Sequence, residues 1–126
     1  MRALTVCGNL LFQSKLDSFL AALNLTSILP SAYETTLDDM RQRPPHIVII
    51  DLSYRKFDPL EFLTAIRSAE IGYRGPTLCY GPHVETEKLD RARRMGATEV
   101  VANSMMSAKG GALIAKLLGG ATSEGA

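Results

Sequence analysis

The sequence predicts one α/β domain with a parallel sheet covered by helices on both faces, and three observations support this class. Short apolar segments alternate five times with segments of helical periodicity, which is typical of parallel strands joined by right-handed crossovers. Residues 46–51 (HIVIID) are apolar on both faces, as expected for a central strand of such a sheet. The length of 126 residues fits a single domain, and no internal repeat indicates a second one.

The first strand and the first helix follow from the amino-terminal pattern. Residues 3–6 (ALTV) form a short apolar run that predicts a strand. The next apolar residues recur with i, i+3, i+4, i+7 spacing, which places them on one face of a helix: Leu16, Phe19, Leu20 and Leu23. We therefore expect a first helix that packs this face against the sheet.

The second strand and the second helix are predicted from weaker signals. Residues 26–30 (TSILP) form a short strand, and Pro30 places it at a sheet edge because proline cannot donate a hydrogen bond to a neighbouring strand. Thr36 and Asp39 have the spacing of a capping box, so they predict a helix through about Arg41. Two prolines then end this helix.

The rest of the chain alternates in the same way. In order it predicts a central strand at 46–51, a helix from Pro59, a strand at 77–80, a helix at 85–95, a strand at 99–102 and a last helix ending at Leu118. Acidic residues in the first turn and basic residues in the last turn support the helix at 85–95. We expect one domain over residues 1–118 and a disordered tail over residues 119–126 (GGATSEGA).

Composition narrows the classes of function. The 14 basic and 13 acidic residues give a net charge of +1, which argues against a nucleic-acid-binding protein. The apolar runs are too short to cross a bilayer and the amino terminus lacks the apolar core of a secretory signal, so we expect a cytoplasmic protein without membrane contact. Cys7 and Cys79 form no C-x-x-C pair, and they indicate free thiols in a reducing compartment.

Two segments resemble the receiver domain of bacterial response regulators, and the resemblance extends over about residues 2–118. Residues 47–67 (IVIIDLSYRKFDPLEFLTAIR) look like the family's phosphoacceptor strand, loop and third helix, with Asp51 in the phosphoacceptor place and Asp58 matching a common loop aspartate. Residues 91–104 (RARRMGATEVVANS) look like the end of the family's fourth helix, its Gly-Ala corner and its fifth strand. The resemblance implies the flavodoxin-like fold, with strand order 2-1-3-4-5 and a crevice at the carboxyl ends of the strands.

The same resemblance implies that most of the family's phosphoryl-transfer site is missing. Its acidic pair, its switch hydroxyl and its lysine fall on residues that lack these groups: Cys7, Gly8 and Asn9 for the pair, Gly81 for the hydroxyl and Asn103 for the lysine. Magnesium requires oxygen ligands, commonly carboxylates, and phosphoryl transfer depends on charge neutralisation. Since Asp51 alone remains, we expect a degenerate receiver, or pseudo-receiver, that holds no metal or cofactor and is not an enzyme.

Two further groups of residues are candidates for function. His83 follows the fourth predicted strand, where a surface-loop histidine is the first interpretation; the alternative is a place in the crevice near Asp51, where the loop residue Asp58 is a further candidate. The other group is the surface with which receivers signal, around the fourth and fifth helices: Lys88, Arg91, Arg94, Met105 and Met106. The methionines belong to a glycine-flanked segment, residues 103–111, that we expect to be flexible. A solvated helix face and core packing are the alternatives for the cations and the methionines.

The first hypothesis is a stand-alone receiver-like domain of two-component signalling. We expect it to act by contact with a signalling protein or with a second copy of itself, without phosphorylation at Asp51. One alternative is a conventional phosphoreceiver that is phosphorylated on Asp51. The other alternative is a sensor that binds a small ligand in the crevice at the strand carboxyl ends.

Overall fold

Strands and helices alternate along residues 1–125, the part of the backbone that this computed structural model describes; side chains are described for residues 1–119. In chain order the elements are β1 (Arg2–Val6), α1 (Leu10–Ala22), β2 (Thr26–Ile28), α2 (Tyr33–Gln42), β3 (Ile47–Asp51), α3 (Pro59–Arg67), β4 (Thr77–Gly81), α4 (Thr86–Arg94), β5 (Glu99–Ala102) and α5 (Asn103–Gly125). The strands are parallel and lie in the order β2-β1-β3-β4-β5. This order confirms the predicted flavodoxin-like fold.

The core has two halves, one on each face of the sheet. Side chains alternate between the faces of a strand, so β3 contributes to both halves. Val48 and Ile50 pack with α2, α3 and α4, whereas Ile47 and Ile49 pack with α1 and α5. All four side chains are fully buried. The central strand is therefore apolar on both faces because each face lies under helices.

Helices α1 and α3 begin at side-chain caps near the carboxyl ends of β1 and β3. The Asn9 side chain accepts a hydrogen bond from Phe12 N at 3.0 Å, and α1 starts at Leu10. Asp58 accepts hydrogen bonds from two amides of the first turn of α3, and Pro59 occupies the first helical position. The predicted start of α3 is confirmed, whereas the apolar periodicity did not reveal the first turn of α1.

Helix α2 begins earlier than the capping-box spacing predicts, so that prediction was wrong. Its first residue is Tyr33, and Thr36 lies inside the helix, where its hydroxyl donates to Ala32 O at 2.9 Å. The same hydroxyl accepts a hydrogen bond from Ser31 N at 3.0 Å. The Tyr33 ring packs edge-on against Phe57 at 5.4 Å between centroids. Tertiary packing of this aromatic ring, which local spacing does not reveal, favours the earlier helix start.

Helix α5 begins at Asn103, directly after β5, so the flexible segment predicted at 103–111 is helical instead. The backbone kinks at Lys109, which has φ −130° and ψ 18°. Gly110 follows the kink and lies against the Phe19 ring of α1. A small residue is needed there because α1 and α5 approach closely.

The carboxyl-terminal end of the chain is described only in part. Helix α5 is assigned through Gly125, beyond Leu118, where the sequence predicts that the tail begins. The side chains of residues 120–126 lie outside the described part of the chain, so a disordered tail stays a prediction. Among the described residues, no helix is long and apolar enough to cross a membrane.

Arg67, the last residue of α3, holds together the amino edge of the sheet. Its guanidinium donates hydrogen bonds of 2.8 to 3.3 Å to five acceptors on the neighbouring segments: Tyr73 O, Gly75 O, Thr77 Oγ1, Gly96 O and Thr98 Oγ1. Burial lowers the pKa of Arg67 from its usual value. The five acceptors solvate the charge that burial removes from water.

Candidate functional site at the carboxyl edge of the sheet

Three side chains form a row across the ends of β1, β3 and β4. Asp51 pairs laterally with Tyr80, and Cys7 follows Val6, the partner of Ile50 in the β1–β3 register. Cys7 and Tyr80 belong to the half of the core beneath α1 and α5. Asp51 faces the same half because it follows Ile49 by two residues. The end of the sheet therefore brings a thiol, a carboxylate and a phenol together, and Asp51 is the member of this row that lines the open cleft.

Asp51 is a half-buried carboxylate with one backbone hydrogen bond. Its Oδ1 accepts from Ser53 N at 2.8 Å. Burial raises the pKa of Asp51, and the Ser53 amide and the Lys88 ammonium oppose this rise. No Lys, Arg or His nitrogen of the described residues lies within 4.0 Å of the carboxylate. The charge of Asp51 is thus only partly compensated.

Tyr80 fills the space between Asp51 and α1, and the sequence analysis did not identify it. Its side chain is 2% exposed and its ring stacks on Phe12 of α1, with 4.8 Å between centroids and 17° between planes. Its hydroxyl has no hydrogen-bond partner among the described residues. Burial raises the pKa of Tyr80, and the neighbouring Cys7 thiol and Asp51 carboxylate raise it further. In the sequence, Tyr80 is one aromatic residue in an apolar strand, which predicts core packing and nothing about a functional site.

The residues near Asp51 do not fit a magnesium ion. The Cys7 thiol donates to Asn9 O at 3.5 Å, Gly8 has no side chain, and the Asn9 side chain caps α1. Asp58 caps α3 and lines the neighbouring cleft rather than that of Asp51. No group of three or more His, Cys, Asp or Glu side chains able to hold a metal ion occurs within the described residues. Asp51 is the only carboxylate in this row, and magnesium commonly takes further oxygen ligands.

Lys88 lines the neighbouring cleft, together with Asp58, instead of forming part of a free helix surface. Its Nζ donates to Leu52 O at 3.3 Å and pairs with Glu85 at 3.4 Å. The electrostatic effect of this ammonium on Asp51 lowers the pKa of the carboxyl group. Lys88 thus acts on Asp51 from α4, whereas Arg55 and Lys56 line the cleft of Asp51 from the loop after β3.

His83 does not pair with Asp51. Its side chain is exposed in the loop between β4 and α4, and no hydrogen bond or ion pair joins it to the carboxylate. His83 thus matches the first interpretation, that of a surface-loop histidine.

The residues of the predicted partner surface are not all on the surface. Met106 is fully buried in the core, so it was wrongly placed on this surface. Arg91 and Arg94 are exposed on α4, and Met105 is 45% exposed at the start of α5. Helical geometry turns consecutive methionines to different sides, and the glycine-flanked composition did not reveal that this segment is a helix.

Comparison with known proteins shows what the fold and this edge resemble. No family model and no curated protein match the sequence. The receiver domain of the sensor histidine kinase PA1611 from Pseudomonas aeruginosa, which coordinates magnesium in its active-site cleft, matches with a TM-score of 0.77 and 16% identity over 94% of this chain and 97% of that one. The orphan response regulator HP1043 of H. pylori matches with a TM-score of 0.73 and 19% identity over 94% and 96% of the two chains. The chain has the receiver fold.

A longer protein shares this receiver fold. NtrX from Brucella abortus matches with a TM-score of 0.78 and 16% identity over 98% of this chain. The chain spans 28% of the length of that NtrX chain. At such identities the likeness shows the fold, while function has to be argued from the site.

Gly81 and Asn103 occupy the two remaining positions that the resemblance to receivers marks as functional. A Cβ on Gly81 would lie 3.4 Å from Leu52 Cβ and 3.5 Å from Leu89 Cδ2, which are ordinary contacts, and the glycine itself carries no functional group. Asn103 is the exposed first residue of α5 and carries no charge. Neither position offers a hydroxyl or an ammonium to a group bound at Asp51.

Proposed function

We propose that the chain is a signalling domain of the response-regulator type that acts through protein–protein contact, without phosphoryl transfer to Asp51. The observation that carries this proposal is the row of Cys7, Asp51 and Tyr80. In this row a buried aromatic ring and a thiol lie beside the acceptor carboxylate, where phosphoryl chemistry needs metal ligands. The receiver fold supports a role in two-component signalling.

Charge explains why Asp51 is a poor phosphoryl acceptor. The carboxylate and the phosphoryl donor are both anionic, so the reaction depends on cations that neutralise the developing charge. Among the described residues, Lys88 is the only cation that affects the Asp51 pKa, and its ammonium is also bound by Leu52 O and Glu85. Burial already disfavours the charged form of Asp51. Lys88 therefore offers little of the charge neutralisation that the transition state needs.

Intact-mass spectrometry with a small-molecule phosphodonor and magnesium tests the proposal. We expect the masses of the wild-type chain and of Asp51→Asn to stay unchanged, and the amide NMR spectrum to show no shifts at Cys7, Asp51 or Gly81. The receiver domain of PA1611, treated in parallel, is the control for magnesium and donor. A gain of one phosphoryl group that disappears in Asp51→Asn would establish a conventional phosphoreceiver instead.

A further inference from the structure

The Tyr80 hydroxyl is a buried polar group without a partner, and it lies beside a thiol. The Tyr80 side chain is 2% exposed, and its hydroxyl makes no hydrogen bond to any of the described residues. An unpaired hydroxyl in an apolar interior costs free energy. The stacking of the ring on Phe12 does not need it, because phenylalanine would stack in the same way. A tyrosine at this position therefore indicates an acceptor that the unmodified side chains do not provide.

The Cys7 thiol is the neighbour of this hydroxyl. Cys7 and Tyr80 lie in one row at the carboxyl edge, on either side of Asp51, and both belong to the half of the core beneath α1 and α5. Burial raises the pKa of Tyr80, and the Cys7 side chain, which is close enough to interact with the phenol, raises it further. A thiol sulfur is only a weak acceptor, and its own proton points to Asn9 O at 3.5 Å. As a thiol, Cys7 therefore leaves the hydroxyl unsatisfied.

Cys7 is accessible from solvent, whereas the second cysteine of the chain is not. The Cys7 side chain is partly exposed, and the adjacent Gly8 and Asn9 line the open cleft at Asp51. Cys79 is 0% exposed in β4 and packs in the other half of the core. Because the two sulfurs face opposite sides of the sheet, they cannot form a disulfide in the folded chain.

We propose that Cys7 is a site of reversible oxidation, where a hydroperoxide converts the thiol to a sulfenic acid that the Tyr80 hydroxyl binds. With hydrogen peroxide, the Cys7 thiolate attacks one peroxide oxygen, so that an S–O bond forms as the O–O bond breaks. The electron pair of the broken bond leaves with the second oxygen, which takes up the thiol proton and departs as water. The sulfur loses two electrons and the peroxide gains them.

The oxidised sulfur supplies the acceptor that the hydroxyl lacks. Its new oxygen is bonded directly to Sγ, beside the phenol. Because burial raises the pKa of Tyr80, the phenol keeps its proton and can donate it to this oxygen. The hydrogen bond stabilises the sulfenic acid against further oxidation and against condensation with another thiol, the two reactions that consume it. This site goes beyond the proposed function, which does not depend on it.

A bound anion is a poorer candidate for the missing acceptor. The Asp51 carboxylate lies between Cys7 and Tyr80, and its charge repels an anion at this place. The sulfenic oxygen is covalently attached, so it needs no free energy of binding to stay there. An ordered water is the remaining alternative, and the lifetime of the sulfenic acid distinguishes it.

Trapping with dimedone, a reagent for sulfenic acids, tests the inference on the full-length chain. The protein is oxidised with hydrogen peroxide, the peroxide is removed with catalase, and dimedone is added after increasing delays. Intact mass and peptide mapping measure the adduct. We expect an adduct on Cys7 and none on Cys79, and Cys7→Ser should give none.

Tyr80→Phe separates the hydroxyl from the ring. It keeps the stack on Phe12 and removes the donor, so the sulfenic acid should decay at least about fivefold faster, the effect of one lost hydrogen bond. Tyr33→Phe, in the other half of the core, is the matched control and should decay like the wild type. A second measurement needs no variant: NMR shifts on oxidation should be centred on Cys7, Tyr80 and Phe12.

Several results would overturn the inference. Absence of an adduct on Cys7, or an equal adduct on Cys79, would show that the edge thiol is not a selective site of oxidation. Equal decay in the wild type and Tyr80→Phe, or oxidation shifts that leave out Tyr80, would mean that the hydroxyl does not bind the sulfenic acid. The phosphodonor experiment stays independent, because phosphorylation of Asp51 would overturn the proposed function whether or not Cys7 is oxidised.

Discussion

Asp51 carries an electrostatic cost in the folded chain, because burial outweighs the two contacts that stabilise its charge. Its pKa is raised above 3.8, the usual value, and is therefore higher in the folded than in the unfolded chain. The folded state binds the proton more strongly, so the contribution of Asp51 to stability is greatest below pH 3.8 and is lost as pH rises through the folded pKa. At neutral pH the charged carboxylate destabilises the fold.

Asp51→Asn should therefore raise the melting temperature at pH 7, and the gain should shrink as the pH falls towards 4. The amide oxygen of asparagine keeps an acceptor for Ser53 N while removing the charge. Thermal unfolding of both proteins at the two pH values measures the effect. Asp90→Asn, at an exposed ion pair, is the control for net charge and should change stability by less than about 0.5 kcal/mol. A lower melting temperature of Asp51→Asn at pH 7 would show that the folded chain stabilises the charge.

The Tyr80 hydroxyl is a second residue-scale test, because it is buried without a partner in the described part of the chain. Tyr80→Phe removes this polar group and keeps the ring that stacks on Phe12, so we expect a gain of about 1 kcal/mol in the free energy of unfolding. Tyr80→Ala removes the ring and should cost about 3–5 kcal/mol. Denaturant unfolding measures both. A loss of stability in Tyr80→Phe would mean that the hydroxyl is bound, either by the neighbouring Cys7 thiol or by an ordered water.

At the scale of elements, the contact between α1 and α5 depends on one glycine. A Cβ at Gly110 would lie 2.5 Å from Phe19 Cε2, whereas a Cβ at Gly111 would lie 3.5 Å from Phe19 Cδ1, an ordinary contact. Gly110→Ala should therefore destabilise the fold by about 1–3 kcal/mol. Gly111→Ala should be neutral or stabilise it by up to about 1 kcal/mol, since alanine favours a helix. Equal effects of both substitutions in denaturant unfolding would show that α5 can shift away from α1.

The strands were predictable because their signal is local. A central strand buried on both faces has to be apolar at every position, and residues 46–51 show this directly. Helix starts were less predictable. Leu10 and Leu11 are exposed and do not continue the apolar face of α1, so the periodicity revealed only its later turns. At Thr36 the spacing of a capping box was present, but aromatic packing of Tyr33 determined the start.

Only those residues of the candidate site that belong to one continuous segment were predictable from the sequence. Asp51 follows its strand directly, and the resemblance to receivers indicated which groups are missing around it. Lys88 reaches Leu52 O across 36 positions of the chain, and Tyr80 stacks on Phe12 from a different element. Contacts between residues so far apart in sequence depend on the packed structure, and the sequence around a lysine or a tyrosine does not predict them.

For the whole molecule, the reaction rates of the two thiols distinguish local exposure from global unfolding. Cys7 lies at the carboxyl edge and is partly exposed, whereas Cys79 lies in β4, is 0% exposed, and has a pKa raised by burial to about 12. Because the thiolate is the reacting species, Cys79 should react with an aromatic disulfide reagent only when the domain unfolds.

Thiol labelling should therefore show one fast phase and one phase limited by global unfolding. Cys7→Ser should leave only the slow phase, and Cys79→Ala should leave only the fast one. Added denaturant should accelerate the slow phase in step with the unfolded fraction. Reaction of Cys79 at the rate of Cys7 would show that β4 opens locally without unfolding of the domain.

The hydrogen bonds of Arg67 make the amino edge a cooperative unit. Five acceptors from three segments share one guanidinium, so their bonds are not independent, and release of the side chain frees all of them together. Amide protons of β4 and of the loops around Gly75 and Gly96 should then exchange with solvent through one common opening. No such shared donor joins the loops of the carboxyl edge among the described residues, and each of them can adjust separately. The two ends of the sheet thus differ: one shared guanidinium ties the segments of the amino edge together, whereas the loops of the carboxyl edge have no shared donor among the described residues.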